Sequence, residues 1–209
     1  MRAIVRTADA DRSASSDLVV VRADQLAALA TPCASAPEAP ESELRTHDAI
    51  TSRIHSASPS LPSRFGQLFT DEDALAHALK EREESLRKGL DSVGARVELS
   101  TTLHWRKTRA TTGSAPASGT EYLEARAARE RERQQAEQIV TRLVEQLPVE
   151  RAFARHRSCP RDGVAAIVAL LVTRDEVETM RTYIQSFGER SSEVTATVHG
   201  PLPPYSFAS

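Results

Sequence analysis

Nine consecutive apolar residues, Val164–Val172 (VAAIVALLV), narrow the choices for this chain more than any other segment. The run is far short of the about 20 residues that cross a hydrocarbon core. It also offers no polar side to turn toward water, so it reads as a strand covered on both faces. Just before it, Val149–Arg157 carries Val149, Arg151, Phe153 and Arg155 at a period of two, and Ser158–Gly163 (SCPRDG) supplies a turn. Together they predict a hairpin.

The flanking patterns extend this hairpin into a larger motif. From Ala95 to Trp105, apolar Val97, Leu99, Leu103 and Trp105 alternate with polar Arg96, Glu98, Ser100, Thr102 and His104, the signature of a half-buried strand. After the turn-rich stretch Thr111–Gly119, steps of three and four place Tyr122, Ala125, Arg129, Glu132, Ala136, Ile139, Leu143 and Leu147 on one helical stripe that Pro148 ends. The stripe is strongly apolar only from Ile139 to Leu147, so the first half of that helix is expected to project into solvent. Beyond the hairpin, Val177, Met180, Ile184 and Phe187 share a helical face within Asp175–Phe187. Val194, Ala196 and Val198 then form a last strand that Gly200 and Pro201 are expected to stop. The order is β-α-β-β-α-β, the ferredoxin-like split motif, with both helices on one face of an antiparallel sheet.

The first half predicts a separate α+β domain. Arg2–Thr7 and Asp17–Arg22 read as short strands, Ala23–Ala30 as a short helix, and Ala30–Glu43 as a Pro/Ala-rich loop. Leu44–Ser56 has Leu44, His47, Ile50 and Ile54 at helical spacing. Leu61–Phe69 is strand-like, and Asp71 opens a helix whose apolar positions are Leu75, Leu79, Leu86 and Leu90. The fold class expected is therefore α+β with two domains: residues 1–93, and a ferredoxin-like domain over residues 94–209 that includes a Pro/aromatic tail from Gly200.

Composition excludes several functions. With 27 Lys+Arg against 29 Asp+Glu the net charge is -2, so no global field attracts nucleic acid or anionic lipid. Two cysteines without CxxC spacing argue against a disulfide framework or zinc site, and MRAIVRTADADR lacks the apolar core of a signal peptide. The expected compartment is the cytoplasm, without a membrane partner. Phosphate-loop, metalloprotease and nucleophile-elbow motifs are absent, and no catalytic, cofactor-binding or metal-binding residue is assigned. His47 and His55, eight residues apart, are too distant to chelate one ion by themselves and are expected at surface or half-buried positions. Arg106, Lys107 and Arg109, with Arg155, His156, Arg157 and Arg161, form basic clusters read as a solvated rim. A nucleic-acid-binding ferredoxin-like protein using these arginines is the rival reading, disfavoured because its central strands lack the aromatics on which bases stack.

Two segments stand apart. Leu61–Phe69 (LPSRFGQLF) sets Pro, Arg, Phe and Gly in a strand-like run, where Phe65 and Phe69 suit the core and Arg64 and Gly66 suit a contact edge. Gly200–Phe207 (GPLPPYSF) carries three prolines and three large apolar side chains that have to be buried on the chain itself or on a partner. These two blocks, the acidic helix start Thr70–Asp73, His47 ahead of Arg64, and Gly119–Arg133 (GTEYLEARAARERER) resemble the gas vesicle protein F/L family over nearly the whole chain. The resemblance does not separate an F-type from an L-type member. It implies a non-catalytic accessory protein of gas vesicle formation, needing no cofactor, whose partners are the hydrophobic shell protein and other accessory proteins. Arg64, Phe65, Gly66, Pro203, Pro204, Tyr205 and Phe207 are its candidate contact residues.

Overall fold

A computed structural model describes residues 1–33, 40–106, 118–148, 150, 153–161 and 163–208. The chain is α+β and forms two compact units, Met1–Glu98 together with Leu202–Ser209, and Leu99–Pro201. Residues 202–208, expected with the second half, thus lie in the first unit.

In the first unit, β1 (Ala3–Arg6), β2 (Val19–Ala23), β3 (Leu26–Ala30) and β4 (Leu61–Pro62) form an antiparallel sheet of order β2-β3-β1-β4. The expected helix over Ala23–Ala30 is instead β3. Pairing of Ala23 with Leu26 leaves Asp24 and Gln25 as a two-residue hairpin loop. Asp24 takes a positive φ of 49°, which aspartate tolerates better than most residues. Leucine and alanine favour helix locally, but five residues between two strands gain more from pairing on both sides. Ala3, Val5, Ala27 and Leu29 cluster with Ala10 of α1 (Ala10–Ser13) and Ile54 of α2 (Glu41–Ala57).

Two further differences concern the next segment. Only Leu61 and Pro62 of the strand-like run pair, with Ile4 and Ala3, and the remainder is loop. The single helix expected from Asp71 is two, α3 (Glu72–Glu81) and α4 (Glu83–Val93), divided at Arg82, whose φ of -113° and ψ of 13° leave the helical region. Asp71 caps α3 by accepting from Ala74 N at 2.7 Å. α3 packs along β2 and β3, and α4 along β1 and β4.

The second sheet has the order β6-β7-β5-β8, from β5 (Val97–Trp105), β6 (Ala154–Arg161), β7 (Val164–Val172) and β8 (Val194–Leu202). With α5 (Gly119–Gln146) and α6 (Val177–Arg190), the element order is β-α-β-β-α-β. β7 is the apolar run itself, and seven of its nine residues are buried, as cover on both faces requires. β6 starts later than expected and absorbs most of the expected turn, with a register slip between Ser158 and Arg161. Val149, Arg151 and Ala152 lie outside the described residues. β8 likewise continues through Gly200 and Pro201 to Leu202. Both strands are sheet edges, the position at which a strand tolerates proline. α6 meets β8 closely, and the Arg181 guanidinium donates to the carbonyls of Val198 and Gly200 at 3.1 and 2.8 Å. Arg106, expected on a solvated rim, donates to Ser191 O and Gly188 O, each at 2.8 Å, and so closes the C-terminal end of α6.

Gly188 sets the distance between α6 and β8. A Cβ there would sit 2.8 Å from Ala196 N and 2.9 Å from its Cβ, and the backbone atom cannot yield. Alanine normally improves a helix interior by up to about 1 kcal/mol over glycine. Gly188→Ala is expected to reverse that sign and cost about 1–3 kcal/mol, seen as a lower urea midpoint. Gly119→Ala, with nothing within 4 Å, should be neutral or mildly stabilising in the same measurement.

Candidate functional site

The tail enters the first unit directly from β8. Pro203 and Pro204 are buried, and a single 3-10 turn, Tyr205–Phe207, buries Phe207 to 6% exposure. Tyr205 N donates to Pro203 O at 2.7 Å and Phe207 N to Pro204 O at 3.0 Å. This turn lies against β4. Tyr205 is half-buried, and its hydroxyl donates to Asp48 of α2 at 3.2 Å. Burial, reinforced by the Asp48 and Glu98 carboxylates and only partly offset by Thr51, pushes its pKa up to about 12. The phenol thus stays a donor.

Glu98 fixes the last turn. Its side chain sits in a residue only 3% exposed, with Oε2 accepting from Ser206 N at 2.7 Å and Oε1 from Ser206 Oγ at 2.8 Å. The alternation in β5 had placed Glu98 on a polar face. In the folded chain that position is closed off, and among the described residues the tail supplies both donors that meet it.

Ser63 follows β4 and leads into the candidate loop. Arg64 and Gly66 are exposed and Phe65 is half-buried. Gly66 has φ of 78° with open space around it, so backbone conformation rather than crowding calls for glycine. Gln67 N donates to Arg64 O at 3.3 Å, and the Met1 ammonium donates to Gln67 O at 2.9 Å. Phe65 meets His47 edge-on, with ring centroids 5.6 Å apart. Phe69, like Phe65, is half-buried rather than core.

His47 and His55 are buried, at 5% and 6% exposure, rather than at the surface or half-buried positions expected. Arg2 Nη1 donates to His47 Nδ1 at 2.8 Å, which leaves Nε2–H to donate to Ser63 O at 3.0 Å. Burial lowers the His47 pKa and outweighs the Ser63 carbonyl, and the positive charges of Arg2 and the N-terminus add to it. A neutral imidazole therefore braces the loop base. His55 bonds Ser60 Oγ at 3.1 Å and Arg96 O at 2.8 Å. Among the described residues, no group of three or more His, Cys, Asp or Glu is placed to hold a metal ion.

Beside this loop, Leu68 is 44% exposed and borders two cavities of about 250 and 170 Å³. Val19, Val21, Phe69 and Leu75 help line the larger, and Arg2, Glu43, His47 and Phe65 the smaller. The two sequence blocks thus meet at β4, with the tail packed on it and Arg64–Gly66 leaving it.

A family model described as "Gas vesicle synthesis protein GvpL/GvpF" matches residues 3–209. The chain belongs to the GvpL/GvpF family. Similar solved structures include GvpF from Anabaena sp. PCC7120, with a TM-score of 0.71 at 14% identity over 100% of this chain and 94% of that one. GvpF from Microcystis aeruginosa has a TM-score of 0.70 at 14% identity, over 92% and 88%. At this identity the likeness is one of fold. None of the curated proteins compared matches the chain in sequence.

In this GvpL/GvpF chain, Glu98 and Arg2 are the residues that sequence reasoning passed over. No local signal marks either, since their partners lie 108 and 45 positions away. Among the described residues, no helix is long and apolar enough to cross a membrane. Lys107 and Arg109 lie outside the described residues.

Burial raises the Glu98 pKa above the ordinary carboxylate value, and the Ser206 donors offset this only in part. Between the unfolded and folded values the folded chain therefore keeps a proton that the unfolded chain has lost. The stability contributed by Glu98 is present in full below the unfolded value and is lost as pH rises through the folded one. Glu98→Gln can still accept from Ser206 N and donate to Ser206 Oγ, so it removes the titration while keeping both bonds. Urea midpoints from pH 4 upward should show the variant gaining on the parent protein as pH rises; a pH-independent difference would contradict the assignment.

Proposed function

We propose that this chain is a non-catalytic accessory factor of gas vesicle assembly, working in the cytoplasm. It holds the hydrophobic shell protein and other accessory proteins through the Arg64–Gly66 loop, whose base the tail keeps in place. Family membership over residues 3–209 carries the reading. A shell subunit with a large apolar face aggregates unless it is covered. A loop offering a free-standing arginine, a half-buried phenylalanine and the exposed Leu68 beside two cavities has the chemistry to cover part of such a face.

Pro203, Pro204 and Phe207 act from within this site. The buried prolines lead into the turn that carries Phe207 and lies against β4, the strand from which the loop departs, and Tyr205 ties the same turn to α2 through Asp48. A two-domain layout with a ferredoxin-like second domain belongs to the same proposal.

Co-purification with the shell protein tests the reading, with folding followed by thermal melting. Arg64→Glu changes an exposed side chain, so stability should stay within about 0.5 kcal/mol while capture falls several-fold. Phe207→Ala should cost about 3–5 kcal/mol and weaken capture only through unfolding. Undiminished capture by both Arg64→Glu and Phe65→Ala would overturn the contact assignment.

A further inference from the structure

Helix α5 is the longest element of the second unit, yet only its C-terminal part is covered. Ala136, Ile139, Val140 and Leu143 are buried, whereas no residue from Gly119 to Gln135 is. Along that uncovered stretch three of the four arginines share one face, and Arg131 lies opposite. With 3.6 residues per turn, Tyr122, Arg126, Arg129 and Arg133 fall within an arc of about 60° and run for about 16 Å. All four are exposed, Tyr122 to 53%. Arg133 pairs with Glu130 at 2.7 Å, while Arg126 and Arg129 enter no ion pair recorded among the described residues. Glu121 and Glu124 lie roughly 80° or more around the helix from the nearest of these residues, Glu132 about 60° from Arg129, and Glu130 about 40° from Arg126, which its carboxylate also attracts. Ser118 Oγ accepts from Glu121 N at 3.2 Å and opens the helix, so its positive dipole end sits beside Tyr122.

We propose that this arginine stripe docks an acidic α-helix of a partner protein. Carboxylates at i, i+4 and i+7 on one face of an antiparallel helix rise at the same pitch as Arg133, Arg129 and Arg126, so each can meet a guanidinium with two parallel hydrogen bonds, Arg133 exchanging Glu130 for the partner's carboxylate. Tyr122 adds an aromatic ring that covers one apolar side chain beyond the last carboxylate. A phosphate backbone fits less well. The glutamates flanking the stripe repel a polyanion that wraps beyond it, and the net charge of -2 gives no field to draw one in. The surface lies on a different unit from the Arg64–Gly66 loop and stands whether or not that loop contacts the shell protein.

Fluorescence anisotropy with the full chain tests the proposal. The probes are a labelled alanine-rich helical peptide with glutamates at i, i+4 and i+7, a scrambled peptide of the same composition, a single-stranded RNA and a duplex DNA. The patterned helix should bind more tightly than the other three and weaken as salt rises. Its affinity should fall about tenfold or more in Arg126→Glu/Arg129→Glu. Arg126→Gln/Arg129→Gln keeps good helix formers at both positions and should show a smaller fall with an unchanged circular dichroism spectrum. The proposal is overturned by equal binding of the scrambled peptide, by tighter binding of either nucleic acid, by absence of binding at low salt, or by unchanged affinity in a folded glutamine double variant.

Discussion

A carboxylate withdrawn from water has to be met by donors, and Glu98 is met by a backbone N–H and a hydroxyl from a residue 108 positions away. Much of the first unit's geometry depends on that meeting. Pro203 and Pro204 bring no N–H of their own, so Ser206 is the residue through which the tail pairs with Glu98. Once Ser206 is held, Phe207 is carried into the core and Tyr205 is set beside Asp48. The turn then covers β4, a strand of only two residues that pairing alone would hold weakly.

Three of the four sheet edges share one feature, and β2 is the exception. β4, β6 and β8 are edge strands, and each contains a proline: Pro62, Pro160 and Pro201. A missing N–H on an edge discourages another strand from adding there. The two surfaces proposed for contact are a loop and a helix face, not a strand edge: the glycine-turned loop at Arg64–Gly66 and the uncovered part of α5. In the loop, polar contacts brace the base, with Arg2, His47 and Ser63 linking the chain start, α2 and the residue after β4.

Some of this could be read from the sequence, and the reasons differ by element. β7 was predictable to the residue because nine apolar positions in a row leave one solution. The uncovered half of α5 followed from where its apolar stripe fades. β3 was hidden because its leucines and alanines favour helix, and only the neighbouring strands decide otherwise. The break at Arg82 carries no proline or glycine to announce it. For the candidate site, the two blocks stood out by composition, but their meeting at β4 is a tertiary fact. The burial of Glu98 and His47 is hidden for the same reason, since polar residues look alike in sequence whether water or a distant partner satisfies them.

The first unit is discontinuous in sequence, with Leu99–Pro201 inserted between its larger part and the segment that completes it. Synthesis runs in the other order. While a ribosome is still adding the second unit, Glu98 has no Ser206 to meet and β4 has no cover from Phe207. The second unit is contiguous and can close as soon as β8 has emerged, whereas the portion ahead of it waits for the segment that follows it. A chain stalled or clipped before Phe207 would leave a finished second unit attached to an open first one, the form that chaperones and proteases recognise.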